Sequence, residues 1–368
     1  MNMKQIAIIC LFLLIGCSIT TREDSSWTAF SDNDSDLIGF KDQNGKVRIE
    51  AKYTGFTTAK KFDKIIAVME DNNGKNETYY LTKSGKKVGR DNIYLFDNSP
   101  DCESEGFIRF RDKKTNKAGM FNGKGEIAIP AEYNDLTNAR NGLVMALKGA
   151  QKKCPDGNKP SGCEHFGWVG GKEYLIDTNN KIIIENFKYN PNLNFFSLKI
   201  GHEPAQDANR QSFPGVDGKY YSFIDYEKEF KAWFTTALLN PLSREKLIEN
   251  SYSKIYFWKE PDGWTTEASS EFINRNYELI KSRLTEINKN NSDYFISIDG
   301  LNPFIYEGAE FAVYYNNCGE PKEWKYPVMD VVINHKTKKD SYQDQFEFLR
   351  TENGFKLISM TIKNGNLK

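Results

Sequence analysis

The sequence predicts an α and β multidomain chain: an N-terminal all-β repeat array of about four copies, followed by an α+β domain with an antiparallel sheet. Three observations carry this. Residues 42–53 (DQNGKVRIEAKY) and 122–133 (NGKGEIAIPAEY) overlay at a distance of about 80 residues, placing Gly45 on Gly125, Ile49 on Ile129, Ala51 on Ala131 and Tyr53 on Tyr133. No segment of helical period interrupts residues 37–200. After residue 222, apolar spacings of three and four run as far as Ile287, and beyond Asn290 the period changes to two.

Between the two matched stretches lies TKSGKKVGRDNI (82–93), whose Gly85 sits midway between Gly45 and Gly125, so the period is about 40 residues. A weaker copy is DTNNKIIIENFK (177–188), with Asn180 in the glycine place and a further displacement of about 15 residues. Each copy reads as three strands. The first is a strand such as EGFIRFRD (105–112) or NGLVMALK (141–148), and the second is short, as in TYYLT (78–82), AGMF (118–121) or EYLID (173–177). A turn on Gly or Asn follows, residues that tolerate positive φ, and the third strand runs to a Tyr. Recurrence at equivalent positions assigns these glycines and tyrosines to turns and core.

The segments GFKDQNGKVRIEAKY, AGMFNGKGEIAIPAEY and, more loosely, FGWVGGKEYLIDTNNKIII resemble WG β-repeat proteins. The resemblance spans about residues 37–190, and the usual tryptophan survives only at Trp168. It implies a β-repeat interaction surface on a cell-envelope component.

Residues 201–221, beginning GHEPAQDANRQSFPGVDGK, lack periodicity and read as a linker, which makes 37–200 the repeat domain and 222–368 the second domain. There Phe223, Tyr226, Phe230, Trp233, Phe234, Ala237 and Leu238 form a helical stripe, with Ser222 and Asp225 spaced as a capping box and Pro241 ending it. A second helix is expected over Arg244 to Asn250, and a third carries Ile273, Tyr277, Ile280, Leu284 and Ile287. Strands follow at 294–298, 311–315, 326–333, 345–349 and 355–362, the last two joined by a turn at Asn353-Gly354. In order and length this part resembles NTF2-like domains, which implies a curved antiparallel sheet wrapped on a long helix; a cystatin-like arrangement competes.

At the start, Lys4 precedes the ten-residue apolar run IAIICLFLLI (6–15), about half the length of a membrane span and suited to a signal peptide. Leu14-Ile15-Gly16-Cys17 resembles the bacterial lipobox. That resemblance implies a signal over 1–16, diacylglycerol on the Cys17 thiol and further acylation (palmitate-type chains) of its amino group. The lipid bilayer is then a partner through acylated Cys17, two or more chains giving a stable anchor where one does not. Ser18 in place of Asp implies outer-membrane sorting in a Gram-negative source. Residues 17–36 are polar and read as a disordered tether. Asp32, Asp34 and Asp36 echo a calcium loop, but Leu37 and Gln43 occupy the places where it needs Gly and Glu.

Charge is balanced at 50 basic and 50 acidic residues, so no field points to nucleic acid. Of six cysteines, Cys154 and Cys163 bracket the turn-rich PDGNKPSG and are expected to form a disulfide; Cys102 and Cys318 either pair across domains or stay as buried thiols. The stretch 151–166 is the insertion that displaces the last copy. Lys152, Lys153 and Lys159 with His165, Phe166 and Trp168 make it the candidate binding loop.

Catalytic constellations are not apparent. The three histidines are His165, His202 and His335, and no nucleophile elbow, P-loop, metal motif or cofactor fingerprint accompanies them. His202-Glu203 is followed by Pro204, and Gly123-Lys124-Gly125-Glu126-Ile127-Ala128 joins two strands, out of context for a dinucleotide. Asp225 and Glu227 read as a solvated helix face. The expected function is that of a lipid-anchored, non-enzymatic envelope protein, with no cofactor or metal, binding a protein or glycan through its repeats. The alternatives are an immunity or inhibitor lipoprotein directed at a secreted toxin or hydrolase, and an enzyme or small-ligand binder using a pocket in the C-terminal domain.

Overall fold

The computed structural model describes residues 26–32, 34–154, 167–188, 190–259, 261–288, 293–336, 341–363, 365 and 367. The fold is mostly β, and its first sheet is a seven-stranded one that curls into a half-barrel. Along that sheet run Lys61–Phe62, Trp27–Ser31, Ile38–Lys41, Val47–Tyr53, Ile65–Asn72, Lys75–Thr82 and Lys87–Val88. The tether reading therefore fails for Trp27–Ser31. That stretch pairs with Ile38–Lys41, packs Trp27 edge-on against Phe62, and holds Asp32–Asp36 as a turn closed by the Asp36 N–H on the Asp32 carbonyl.

Two further sheets continue the array: Phe107–Asp112 with Lys117–Asn122 and Ile127–Tyr133, then Asp135–Leu136 with Leu143–Lys148, Lys172–Asp177 and Ile182–Glu185. The sequence repeat is a repeat of turn chemistry. The Oδ1 atoms of Asp42, Asn122 and Asp177 each accept from the backbone N–H groups two and four residues on, and Thr82 Oγ1 accepts from the Lys86 N–H. Gly45, Gly85, Gly125 and Asn180 follow in the left-handed region that each turn requires, with φ between 64° and 87°.

A second repeated device was not singled out in the sequence. Gly39 lies opposite Phe30, and Gly119 opposite Phe110, in adjacent strands. A Cβ on Gly39 would come 2.6 Å from the Phe30 ring and 2.7 Å from the Ile49 carbonyl oxygen; on Gly119 it would come 2.7 Å from both Phe110 and the Ile129 oxygen. Glycine here lets an aromatic ring lie across its own neighbour strand, beside register shifts that bend the ribbon.

Residues 201–221 are not a linker. Arg210–Pro214 and Tyr220–Asp225 pair with each other, and Tyr220–Asp225 also pairs with Leu193–Gly201, in a three-stranded sheet. Of the residues that suggested a boundary, Gly201 and Pro214 end strands, and Gly215 and Gly218 form the turn between Arg210–Pro214 and Tyr220–Asp225. Ser222 is buried in this sheet, where its Oγ meets Arg210 Nε, rather than capping a helix. Asp225 alone caps: its Oδ1 accepts from the Glu227 and Lys228 N–H groups at the start of Tyr226–Ala232, which continues as the π-helical turn Trp233–Leu238.

The C-terminal sheet has six strands, ordered Gly263–Ala268, Ser251–Lys259, Gly354–Thr361, Ser341–Thr351, Val328–Lys336, Tyr294–Asp299. The hairpin Ser251–Lys259/Gly263–Ala268 was not expected between the helices Arg244–Glu249 and Ser269–Leu284. Its inner strand runs parallel to Gly354–Thr361, so the sheet is not a simple antiparallel meander. One face packs on the helices through Phe230, Phe234, Phe272, Ile280, Met329 and Phe346. The 311–315 stretch, read as a strand, falls in the 3-10 turn Ala309–Tyr314. This belongs to a cover over 300–327 that places Tyr306, Phe311 and Tyr314 on Val328, Leu349 and Ile358 of the other face. Phe311 and Tyr314 are buried by ring packing rather than paired in a ladder, and Val313 is left exposed.

That cover also joins the two halves. The Lys60 and Lys61 N–H groups donate to the Asn317 carbonyl at 2.8 and 2.9 Å, Asn317 Nδ2 donates to Asp63 Oδ2 at 2.8 Å, and Cys318 is disulfide-bonded to Cys102.

Candidate binding sites

Gln151–Lys153 pairs antiparallel with Gly167–Val169, which sets Lys152 directly opposite Trp168. The Lys152 ammonium lies 5.5 Å from the Trp168 ring centre, and Trp168 Nε1 donates to Asp135 Oδ2 at 3.3 Å. Asp135 Oδ1 accepts from the Tyr94 hydroxyl at 2.6 Å and from Arg111 at 3.1 Å. The guanidinium groups of Arg109 and Arg111 lie over the Tyr94 ring at 4.1 and 4.9 Å. Burial pushes Tyr94 up to about 12 and, together with the neighbouring Arg111 charge, holds the Lys152 ammonium below its ordinary range.

The structure thus ties Lys152 and Trp168 into a network of aromatic rings, cations and one shared carboxylate. Lys153 is exposed beside them, as is Val169. Lys159, Cys163, His165 and Phe166 lie outside the described residues, as does Cys17. Cys154 is buried and disulfide-bonded. Tyr94, Arg109, Arg111 and Asp135, which brace this ribbon, were not found by sequence reasoning. They sit in three separate stretches that only the sheet stacking brings together.

A second site opens where the two halves meet, around Trp324. On one side of this residue a cavity of about 410 Å³ is lined by Phe96, Arg109, Asn138, Arg140 and Glu323 among others, with the Arg140 guanidinium 4.8 Å over the indole. On the other a cavity of about 630 Å³ is lined by Lys64, Glu105, Phe196, Tyr315, Lys322 and Lys325 among others. The carboxylates on the array side are engaged by the protein. Glu103 Oε2 accepts from the Lys64 and Ile65 N–H groups, and Glu105 accepts from Asn141 and Gly142 at 2.6 and 2.7 Å. Burial lifts Glu103 to about 6.

Two polar clusters belong to the C-terminal sheet. Asp330 and Glu347 face each other on neighbouring strands. Asp330 is lifted to about 7, first by burial and then by the charges of Glu347 and Asp299, and its Oδ1 is buried without a hydrogen bond. Glu347 Oε2 accepts from Ser359 Oγ at 2.5 Å and from the Tyr306 hydroxyl at 3.2 Å, beneath the cover. His335 Nε2 lies 2.9 Å from the fully buried Asp344, and its Nδ1 lies 3.5 Å from Glu286, so carboxylates engage both ring nitrogens. His202 is exposed, and Glu227 pairs with Lys231 on its helix surface. Among the described residues, no group of three or more His, Cys, Asp or Glu is arranged to hold a metal ion.

A family model described as WG containing repeat matches residues 119–150, beginning at the glycine that accommodates Phe110. The chain therefore carries WG-type repeats. No curated protein and no solved structure matches it.

Proposed function

We propose that the protein is a non-enzymatic binding protein of the bacterial envelope, held to the bilayer by acylated Cys17, that captures a protein or glycan through the ribbon face of its repeat array. The observation that carries this reading is the Trp168 assembly. A tryptophan, a tyrosine and two arginines, the side chains that dominate binding energy at interfaces, are held at the root of the largest insertion, Trp168, Tyr94 and Arg111 by Asp135 and Arg109 by Asp101. Their hydrogen bonds fix them before any partner arrives, so docking orders few side chains. The array is read as about four copies over residues 37–200. The C-terminal half, a sheet on one long helix, is read as NTF2-like in plan and serves as the second body against which the array is braced.

The test is deletion of residues 152–164 in the membrane-attached protein. Attachment and fold persist in this reading, and capture of the envelope partner is lost. Unchanged capture moves the interaction surface elsewhere.

A further inference from the structure

We infer that the larger cavity beside Trp324 is a binding site for an acidic saccharide, a sugar ring against the aromatic wall with its carboxylate on Lys322. Three features lead to this ligand.

The first is charge. Lys322 makes no ion pair among the described residues, and its ammonium instead lies 5.6 Å from the Tyr326 ring. Burial first, and then the charges of Lys325 and Lys61, both cations, push it below its ordinary range. The acids lining the same cavity are committed: Glu103 and Glu105 to backbone N–H groups, Asp63 to Asn317. A partly desolvated cation whose charged neighbours repel it is stabilised by an incoming anion.

The second is shape. Trp324, Phe196 and Tyr315 supply flat apolar walls in a space of about 630 Å³, within the ordinary range for small-ligand sites. The third concerns the backbone. Of the lining residues only Phe196 belongs to a strand of any sheet, so an extended peptide finds no ladder to join, whereas a ring with a carboxylate needs only the walls and the cation.

This site is separate from the ribbon, so the two readings fail independently. The probe is an oligogalacturonate titrated calorimetrically into the purified full chain in detergent, with maltotetraose as the neutral control and polyglutamate as the acidic peptide control. The uronate is expected to bind and to weaken with added salt. Lys322→Gln is expected to weaken it about tenfold or more, Lys322→Arg to retain most of the affinity, and Trp168→Ala to leave it unchanged. Circular dichroism of the Lys322 variants separates loss of binding from loss of fold. Equal binding of maltotetraose or polyglutamate, unaltered binding by folded Lys322→Gln, or no binding of the uronate overturns the proposal.

Discussion

Cys102 and Cys318 are bonded across 216 residues of sequence, with their Cα atoms 6.1 Å apart, and so fasten the repeat array to the cover of the C-terminal sheet. The bond lies beside the Asn317 hydrogen bonds to Lys60, Lys61 and Asp63, so a covalent and a hydrogen-bonded link between the halves coincide here. Closing so long a loop restricts the unfolded chain strongly. Replacing both cysteines with serine is expected to lower stability by about 2–5 kcal/mol. Denaturant unfolding of the oxidised protein and the double variant measures this; coincident midpoints would show that the bond contributes nothing.

Gly119 is a steric requirement of the repeat. Its Cβ, if present, would sit 2.7 Å from the Ile129 carbonyl oxygen and from the Phe110 ring, and the backbone atom has no rotamer with which to give way. Gly119→Ala is expected to destabilise by about 1–3 kcal/mol, and Gly39→Ala comparably, since Phe30 and Ile49 play the same parts there. Thermal unfolding of the two variants checks the pair. A neutral effect at both positions contradicts the packing described.

Asp330 makes stability depend on pH. Its folded-state value of about 7 stands above the ordinary aspartate value, so the native state holds a proton that the unfolded chain releases. The contribution is fully present below the ordinary value, near pH 4, and is lost as pH rises through about 7. The groups that face Asp330 are Glu347 from the next strand and Asp299, and both disfavour its ionised form. Asp330→Asn is expected to flatten the decline between pH 5 and 8, and to be more stable relative to the parent at pH 8 than at pH 5. Equilibrium unfolding across that range decides; parallel curves for parent and variant would remove Asp330 as the cause.

Trp168 is held from its indole N–H by Asp135 and is only half-buried, so its loss opens no core cavity. Trp168→Ala is expected to change stability by no more than about 1 kcal/mol while abolishing partner capture. A variant that binds its partner normally would assign the ring a structural role alone.

The repeat was legible because its turns demand particular residues. Gly45, Gly85, Gly125 and Asn180 are needed for positive φ, and the side chains at 42, 82, 122 and 177 close the same turn, so register could be read without any structure. The helix around Ile273, Tyr277 and Ile280 was legible from its period, and the turn at Asn353-Gly354 from its residue pair. What hid was non-local. Arg210–Pro214 looks like linker because a Pro ends it and Gly215 and Gly218 follow in its turn, and its partner Tyr220–Asp225 begins just before a helical stripe that claimed its residues. The strand Ser251–Lys259 depends on Gly354–Thr361, about 100 residues away, for its parallel pairing. In the same way the ribbon was found from its insertion, while Tyr94, Arg109, Arg111 and Asp135 beneath it, and Trp324 with Lys322 at the junction, come from stretches with no shared motif.

The central claim is that the ribbon face meets a partner in the envelope, and crosslinking from the exposed Val169 tests it most directly. A photoreactive residue placed there, in cells carrying the anchored protein, is expected to give one dominant adduct that disappears when Trp168→Ala is added. An adduct of equal yield in the Trp168→Ala background, or no adduct from position 169 while the protein is folded and membrane-attached, would contradict the account.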